Sequence, residues 1–327
     1  MGADHAERLA RRISNARLVA VSDPDSPRAA ALADRFDGVP DVPDPLALVA
    51  DPDVDAVVIA SPGWVHEEQV LACIEAAKPT LCEKPLTMDG DSSLRVVRAE
   101  REAGRALVQL GFMRRFDPEY ARMKAVLGSG RLGRLLVVHN THRNKDVPDS
   151  FRSEMIVRDS LVHEVDVARF LFDEEITEIT VHCPAPTSAA APGVSDPQIV
   201  LFRMAGGAIV TNEVFVRNQV GYEVRCEAVC ERGTIIAGRP GADLYLTAAG
   251  ESDGSWGGAV PGDFRARFAR AYDVEVQAWV DSARRGEVVG PTAWDGYAAT
   301  VVCEAGMASL ESGEAVAVRL VDRDTLA

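Results

Sequence analysis

Residues 55–86 read DAVVIASPGWVHEEQVLACIEAAKPTLCEKPL, and the succession of patterns in this stretch decides the fold. Asp55 to Ser61 is a near-continuous apolar run of strand length that ends at Pro62-Gly63, as in a strand covered on both faces. A helical pattern follows from about Val65 to Ala77, and Thr80 to Glu83 is again short and extended. A strand, a helix and a second strand in roughly 30 residues make a βαβ unit with parallel strands. Outward from it, Arg17 to Asp23 (RLVAVSD) reads as an earlier strand, before a helix from Ser26 to Phe36 capped by Asp25 or Ser26. Ser92 to Ala103 reads as a helix, and Ala106 to Phe112 (ALVQLGF) as a later strand. This alternation predicts a Rossmann-like, doubly wound parallel sheet in an N-terminal domain, residues 1–112.

After Asp117 the texture changes to long strands alternating with a period of two: Val137 to His142, Glu178 to Cys183, Ile199 to Met204, Ala208 to Arg217, Tyr222 to Cys230 and Thr234 to Ala237. Turns such as Ala205-Gly206-Gly207 imply a large, mainly antiparallel, open-faced sheet. Helices at Asp263 to Arg284 and Trp294 to Ser312 and a strand at Ala315 to Leu320 close the chain, while Pro184 to Pro192 is a loop. The expected class is α/β plus α+β, the second domain being residues 113–327, whose last helix and strand are placed to pack back on the first.

Of 327 residues, 35 are Lys or Arg and 50 are Asp or Glu, a net charge of -15. A polyanionic partner needs a concentrated basic surface, so nucleic acid is excluded. With 47% hydrophobic and 26% charged residues the chain is an ordinary globular protein, and no apolar run reaches the ~18 residues of a membrane span. His5, Glu7 and Arg8 stand where a signal peptide would be apolar, so a cytoplasmic location is expected. The six cysteines contain no C-x-x-C, which predicts buried thiols and neither zinc nor disulfides. Cys226 and Cys230 share one strand face with Val224 and Ala228.

Three groups of residues carry chemistry. Glu83-Lys84-Pro85-Leu86 ends a parallel strand, where such folds bind ligands. Pro85 holds Lys84 extended, and a lysine there polarises a hydroxyl, although the same tetrapeptide also suits a surface turn. Asp159, His163 and Asp166 fall at i, i+4 and i+7 of one helix, with Leu161, Val165, Ala168 and Phe172 behind them. That pattern is either a solvated polar face or a histidine base with carboxylates beside it. His139 to Asn144 ends a strand and includes His142; it has no supporting ligand for a metal site. At the front, Asp23 ends its strand, either as a turn acid or as the carboxylate that binds a ribose diol and repels the extra phosphate of NADP. No apolar strand and no G-x-G-x-x-G precede it.

Taken together, Glu83-Lys84-Pro85, Asp159-x-x-x-His163, Ser61-Pro62 with His66, and Pro291-Thr292-Ala293-Trp294-Asp295-Gly296 resemble the Gfo/Idh/MocA oxidoreductases over essentially the whole chain. Gly111 to Asp117 (GFMRRFD) and His142-Arg143-Asn144 resemble its inositol 2-dehydrogenase branch. The resemblance implies a catalytic set of Lys84, Asp159 and His163. It implies NAD, in preference to NADP, held by Gly2, Asp23, Ser61, Pro62, His66, Glu83 and Lys84. It also implies a polyol held by Lys84, Arg114, His142, Asp159, His163, Asp166 and Tyr222. Oxidation of a cyclitol hydroxyl, myo-inositol to its 2-keto product, is the expected reaction, and a homotetramer or dimer built through the open sheet is the expected assembly. Ser61-Pro62-Gly63 departs from the family's Thr-Pro-Asn, and Lys145 stands where inositol enzymes commonly have proline. Gly2 aligns with the last glycine of the dinucleotide motif, so the first strand is expected to be missing, through a misplaced start or a real loss. Another sugar dehydrogenase of the family is the alternative activity, and a real loss would leave a silent sugar-binding protein.

Overall fold

The computed structural model describes residues 1–36, 38–238, 246–247, 255–256 and 260–326. They form two compact units, the first made of Met1–Met113, Arg270–Thr300 and Val321–Ala327, the second of Arg114–Ala269 and Val301–Leu320. No helix among the described residues is long and apolar enough to cross a membrane.

In the first unit, helices α1 (Gly2–Arg11), α2 (Ser26–Ala33), α3 (Pro45–Ala50), α4 (His66–Glu75) and α5 (Gly90–Glu102) accompany strands β1 (Val57–Ile59), β2 (Thr80–Cys82) and β3 (Val108–Leu110). The strands are parallel in the order β1-β2-β3, with Val58 opposite Leu81 and Leu81 opposite Gln109. Helix starts follow from side-chain caps: Asp25, Asp44 and Asp89 accept from the backbone N–H of Arg28, Leu46 and Ser92. The stretch Arg17 to Asp23 corrects the sequence expectation. It makes only an isolated parallel bridge, Val21 to Asp41, with Val21 N–H donating to Pro40. A strand exists through its ladder, and no strand among the described residues lies on its other side.

Late residues complete this unit. Leu110 N–H donates to the Pro291 carbonyl and Gln109 bridges to Thr292, so the Pro291-Thr292 segment lengthens the edge at β3. Ile13, Leu81, Val276, Trp279 and Val280 pack as one apolar cluster. A Cβ on Gly296 would lie 2.8 Å from Leu86 Cβ and 3.1 Å from Leu110 Cγ, so only glycine admits this approach.

The second unit contains β4 (Leu135–Arg143), β5 (Ile176–His182), β6 (Gln198–Met204), β7 (Ile209–Phe215), β8 (Glu223–Cys230) and β9 (Gly233–Ala237). A separate pair is β10 (Leu246–Thr247) with β11 (Ser255–Trp256), and β12 (Val316–Ala317) follows late in the chain. The seven-stranded sheet runs β12-β5-β6-β7-β4-β8-β9, and every pair is antiparallel except β4 with β7. One face is buried through Val138, Asn140, His142, Val210, Val214, Val224, Cys226 and Ala228; the other is half-exposed, with Val137, Leu201, Ile209 and Val229 on it. Helices α6 (Pro118–Gly128), α7 (Ser153–Met155) and α8 (Val162–Phe172) belong here, with a π-helical turn at Ile156–Leu161. Two long helices, α9 (Phe264–Ala283) and α10 (Ala293–Ser312), each pass from one unit's residues to the other's. Five cysteines are buried as expected, whereas Cys183, one residue beyond β5, is exposed.

Gly296→Ala is expected to destabilise the protein by about 1–3 kcal/mol through overpacking against Leu86 and Leu110, opposite in sign to the ~1 kcal/mol that helix propensity favours. Urea unfolding of the two proteins measures it, and a stabilised variant would show that the contact yields.

Candidate active site

The carboxyl ends of β1 and β2 carry the first set of site residues. His66, almost fully buried at the start of α4, reaches two carbonyls, Ser61 O from Nε2 and Pro85 O from Nδ1, each at 2.8 Å. It thereby holds the Ser61-Pro62-Gly63 loop to the Lys84-Pro85 segment, whose peptide bond is cis. Gly63 lies close under Met88 and Pro85: a Cβ there would be 2.9 Å from Met88 Sδ, so the methionine side chain would have to move. Glu83 is buried beside Gly111 and receives His5 Nε2 at 2.8 Å. Burial pushes the Glu83 carboxyl up, but the bond to His5 and the charge of Lys84 outweigh it and hold the group below its ordinary range. Lys84, next in the chain, is half-buried.

Gly2, Asp23, Ser61 and Pro62 line one cavity of about 1330 Å³ beside the extended segment 16–21 and β1; His66, Glu83 and Lys84 are not in its lining. At its rim Asp23 accepts from Arg28 Nε at 2.7 Å and from the Asp25 N–H at 2.9 Å, and the Arg28 bond holds its carboxyl below the usual value. The turn-acid reading of Asp23 is thus fulfilled, and the carboxylate keeps accepting capacity for a diol. Helix α1 opens onto the same cavity with no side-chain cap on its first N–H groups.

The second unit assembles a buried polar cluster from four segments. Arg114, from the 3-10 turn Met113–Phe116, donates through Nη1 to Glu164 Oε1 on α8. His142, on the buried face of β4, has Nδ1 3.0 Å from Glu164 Oε2 and 3.3 Å from Arg114 Nη2. Tyr222, just before β8, meets the His142 ring edge-on at 5.7 Å, and the His163 ring lies 6.2 Å from it. Tyr222 packs in turn against Phe264 and Phe268, and burial raises its phenol above the ordinary value. Glu164 is wholly buried; burial pushes its carboxyl up, yet Arg114 and His142 prevail and bring it to about 2.

The helix carrying Asp159, His163 and Asp166 differs from the uniform α-helix expected. Asp159 sits in the π-helical turn, where the i→i+5 bonding inserts a residue into the turn. Both its oxygens are held by Arg158, Nε at 2.8 Å and Nη2 at 2.9 Å. Asp166 is buried and held by Arg115, with Nη2 2.6 Å from Oδ1. His163 and Asp166 are therefore buried, whereas Asp159 stays partly exposed, and both carboxylates are held by arginines. Sequence reasoning missed Glu164, Arg115, Arg158 and His5. Glu164 directly follows His163, but its partners lie 50 and 22 positions away, where no local pattern reaches.

A parallel-sheet unit with a helix start and an acid at one cavity is the arrangement of a dinucleotide-binding unit. Residues 1–112 match an oxidoreductase family with an NAD-binding Rossmann fold, GFO_IDH_MocA, and residues 120–236 match the GFO/IDH/MocA C-terminal domain. Inositol 2-dehydrogenase 1 of Mycolicibacterium vanbaalenii is 53% identical, over 99% of this chain and 94% of its own. Inositol 2-dehydrogenase 4 of Saccharopolyspora erythraea is 52% identical, over 100% of this chain and 95% of its own. Among solved structures, myo-inositol dehydrogenase from Lactobacillus casei in complex with NAD(H) and myo-inositol is similar, with a TM-score of 0.92 and 33% identity over 100% of this chain and 96% of that one. The chain belongs to the Gfo/Idh/MocA family. The residues present suit the family's dinucleotide: the open α1 N-terminus fits a pyrophosphate, and Asp23 fits a ribose diol.

Glu164 fixes a pH window. Its carboxyl falls from 4.5 to about 2 on folding, so its stabilisation is complete above about pH 4.5 and is lost as pH falls toward 2. The unfolding free-energy difference between the wild type and Glu164→Gln should shrink by about 3 kcal/mol between pH 5 and pH 2; a pH-independent difference would contradict it.

Proposed function

We propose that this chain oxidises a secondary hydroxyl of a cyclitol, most specifically myo-inositol to its 2-keto product, with NAD as acceptor. The observation that carries this reading is the likeness, along the whole chain, to the Lactobacillus casei myo-inositol dehydrogenase in complex with NAD(H) and myo-inositol. The buried cluster supports it, because a ring bearing a hydroxyl on every carbon needs many directional partners, and Arg114, His142, His163 and Tyr222 supply donors and acceptors.

Bound NAD would supply the acceptor for the hydride of the carbinol carbon. His163 removes the hydroxyl proton as general base, its imidazole being suited to transfer near neutral pH. Lys84 holds the same oxygen and stabilises the negative charge that develops as the proton leaves. Asp159, steadied by Arg158, orients the base. Arg114, His142, Asp166 and Tyr222 define the polyol pocket, Arg114 and Asp166 by way of the ion pairs that fix them. Gly2, Asp23, Ser61 and Pro62 take the dinucleotide, while His66 and Glu83 set the loops beside it.

The half-exposed sheet face is the assembly surface of a homotetramer. Val137, Leu201, Ile209, Val229 and Ile236 stand on it among charged pairs such as Arg143 with Glu213. An apolar patch of this kind needs cover. Light scattering should give the mass of four chains, and Ile209→Glu should lower it; a monomeric wild type would refute the assembly.

Purified enzyme incubated with NAD and a panel of cyclitols and hexoses should form NADH with myo-inositol. His163→Ala should lower kcat by roughly 10²–10⁴-fold and Lys84→Ala by roughly 10²–10³-fold. Turnover of a hexose or nucleotide sugar with none of any inositol would overturn the substrate and leave the family intact.

A further inference from the structure

We propose that Glu164 is a positioning residue that keeps the proton of His142 on Nδ1, so that Nε2 of the same ring stands as an acceptor for a substrate hydroxyl. The inference rests on the polyol reading of the site and adds to it a rule about which oxygen substituents the site admits.

Glu164 is wholly enclosed, and both its oxygens are engaged, Oε1 by Arg114 and Oε2 by His142 Nδ1 at 3.0 Å. An ionised carboxylate only accepts, so the hydrogen of the second bond belongs to the imidazole. A competing arrangement would have Arg114 Nη2, 3.3 Å away, donate to a bare Nδ1. That would turn the nitrogen lone pair toward the Oε2 lone pairs and leave a buried carboxylate oxygen without its donor, a penalty that outweighs the longer bond gained. The closer contact therefore decides the tautomer.

The remaining ring nitrogen has no hydrogen-bond partner among the described residues. Around the ring stand the edge-on Tyr222 at 5.7 Å and the His163 ring at 6.2 Å. The ring is buried and held at Nδ1, and its backbone lies in the middle of the sheet, paired with Val214 of β7 on one side and Val224 of β8 on the other. With Nδ1 protonated, Nε2 of the neutral ring carries a lone pair. It accepts from a hydroxyl and has nothing to offer an ether or a carbonyl oxygen. A cyclitol methylated at the oxygen facing this nitrogen would lose the bond.

The same contacts say what breaking the arrangement would do. Glutamine at 164 keeps size but carries an amide N–H₂ that donates to Nδ1, which moves the ring proton to Nε2 and turns the acceptor into a donor. Aspartate keeps an accepting carboxylate.

The test combines ring-nitrogen NMR of histidine-labelled protein with steady-state kinetics. The wild-type spectrum should show one histidine, missing from the spectrum of His142→Gln, protonated on Nδ1. In Glu164→Gln that resonance should change to the Nε2-protonated form, and KM for the polyol should rise roughly tenfold, with kcat altered much less. Glu164→Asp should restore the Nδ1 proton and most of the KM. A wild-type His142 protonated on Nε2 overturns the proposal even if Glu164→Gln does not fold, and so does a changed tautomer with an unchanged KM. The tautomer is read without substrate, so an enzyme that turns over no cyclitol refutes the polyol reading and with it the role of Nε2, while the spectrum still decides whether Glu164 sets the ring proton.

Discussion

A carboxylate with no contact with water must be held ionised by charge beside it or take up a proton, and Glu164 is in that position. The charge of Arg114 and the hydrogen bond from His142 hold it well below its ordinary value, and the requirement runs both ways. Arg114 is itself among the largest fully buried side chains and would be a severe liability without a counter-ion. The three residues come from a 3-10 turn, a sheet strand and a helix, so satisfying one buried charge fixes the relative placement of three elements of the second unit. Removing either member of such a pair leaves the other stranded, which is why the cluster acts as one object and not as a set of independent contacts.

The first unit solves a similar problem with carbonyls in place of charge. His66 spans the loops after β1 and β2, and Glu83 spans β2 and α1 through His5. Neither residue needs to touch a ligand to matter. They determine where Lys84 and the Ser61-Pro62 backbone stand, and at Gly296 the bare backbone comes nearer to Leu86 than a Cβ could without a shift.

Much of this was legible in the sequence where one element carries its own periodicity. The βαβ succession of residues 55–86, the alternation of β8 and the shared helix of Asp159 and His163 are local patterns. What escaped is non-local or cooperative. Arg17 to Asp23 has strand composition but lacks a ladder, because a strand is a property of its neighbours as well as of itself. The π-helical turn at Ile156–Leu161 leaves no signature in residue types. The pairing of Glu164 with Arg114 spans 50 positions and that of Asp166 with Arg115 spans 51, so the burial of these two carboxylates is set by partners that no local pattern shows.

The first unit draws its residues from three separated stretches, and Val276, Trp279 and Val280 of the second stretch share a cluster with Leu81 of the first. Synthesis therefore delivers the two halves of this cluster far apart in time. At ribosomal speeds of about 5–20 residues per second, Leu81 and the strand edges around it wait on the order of ten seconds while residues 114–269 are made. During that interval a nascent sheet stands without part of its apolar cover, in a form suited to chaperones. The division between the two units is a boundary in space but not along the chain, and a cut near residue 113 would yield an unfinished half in place of a free-standing module.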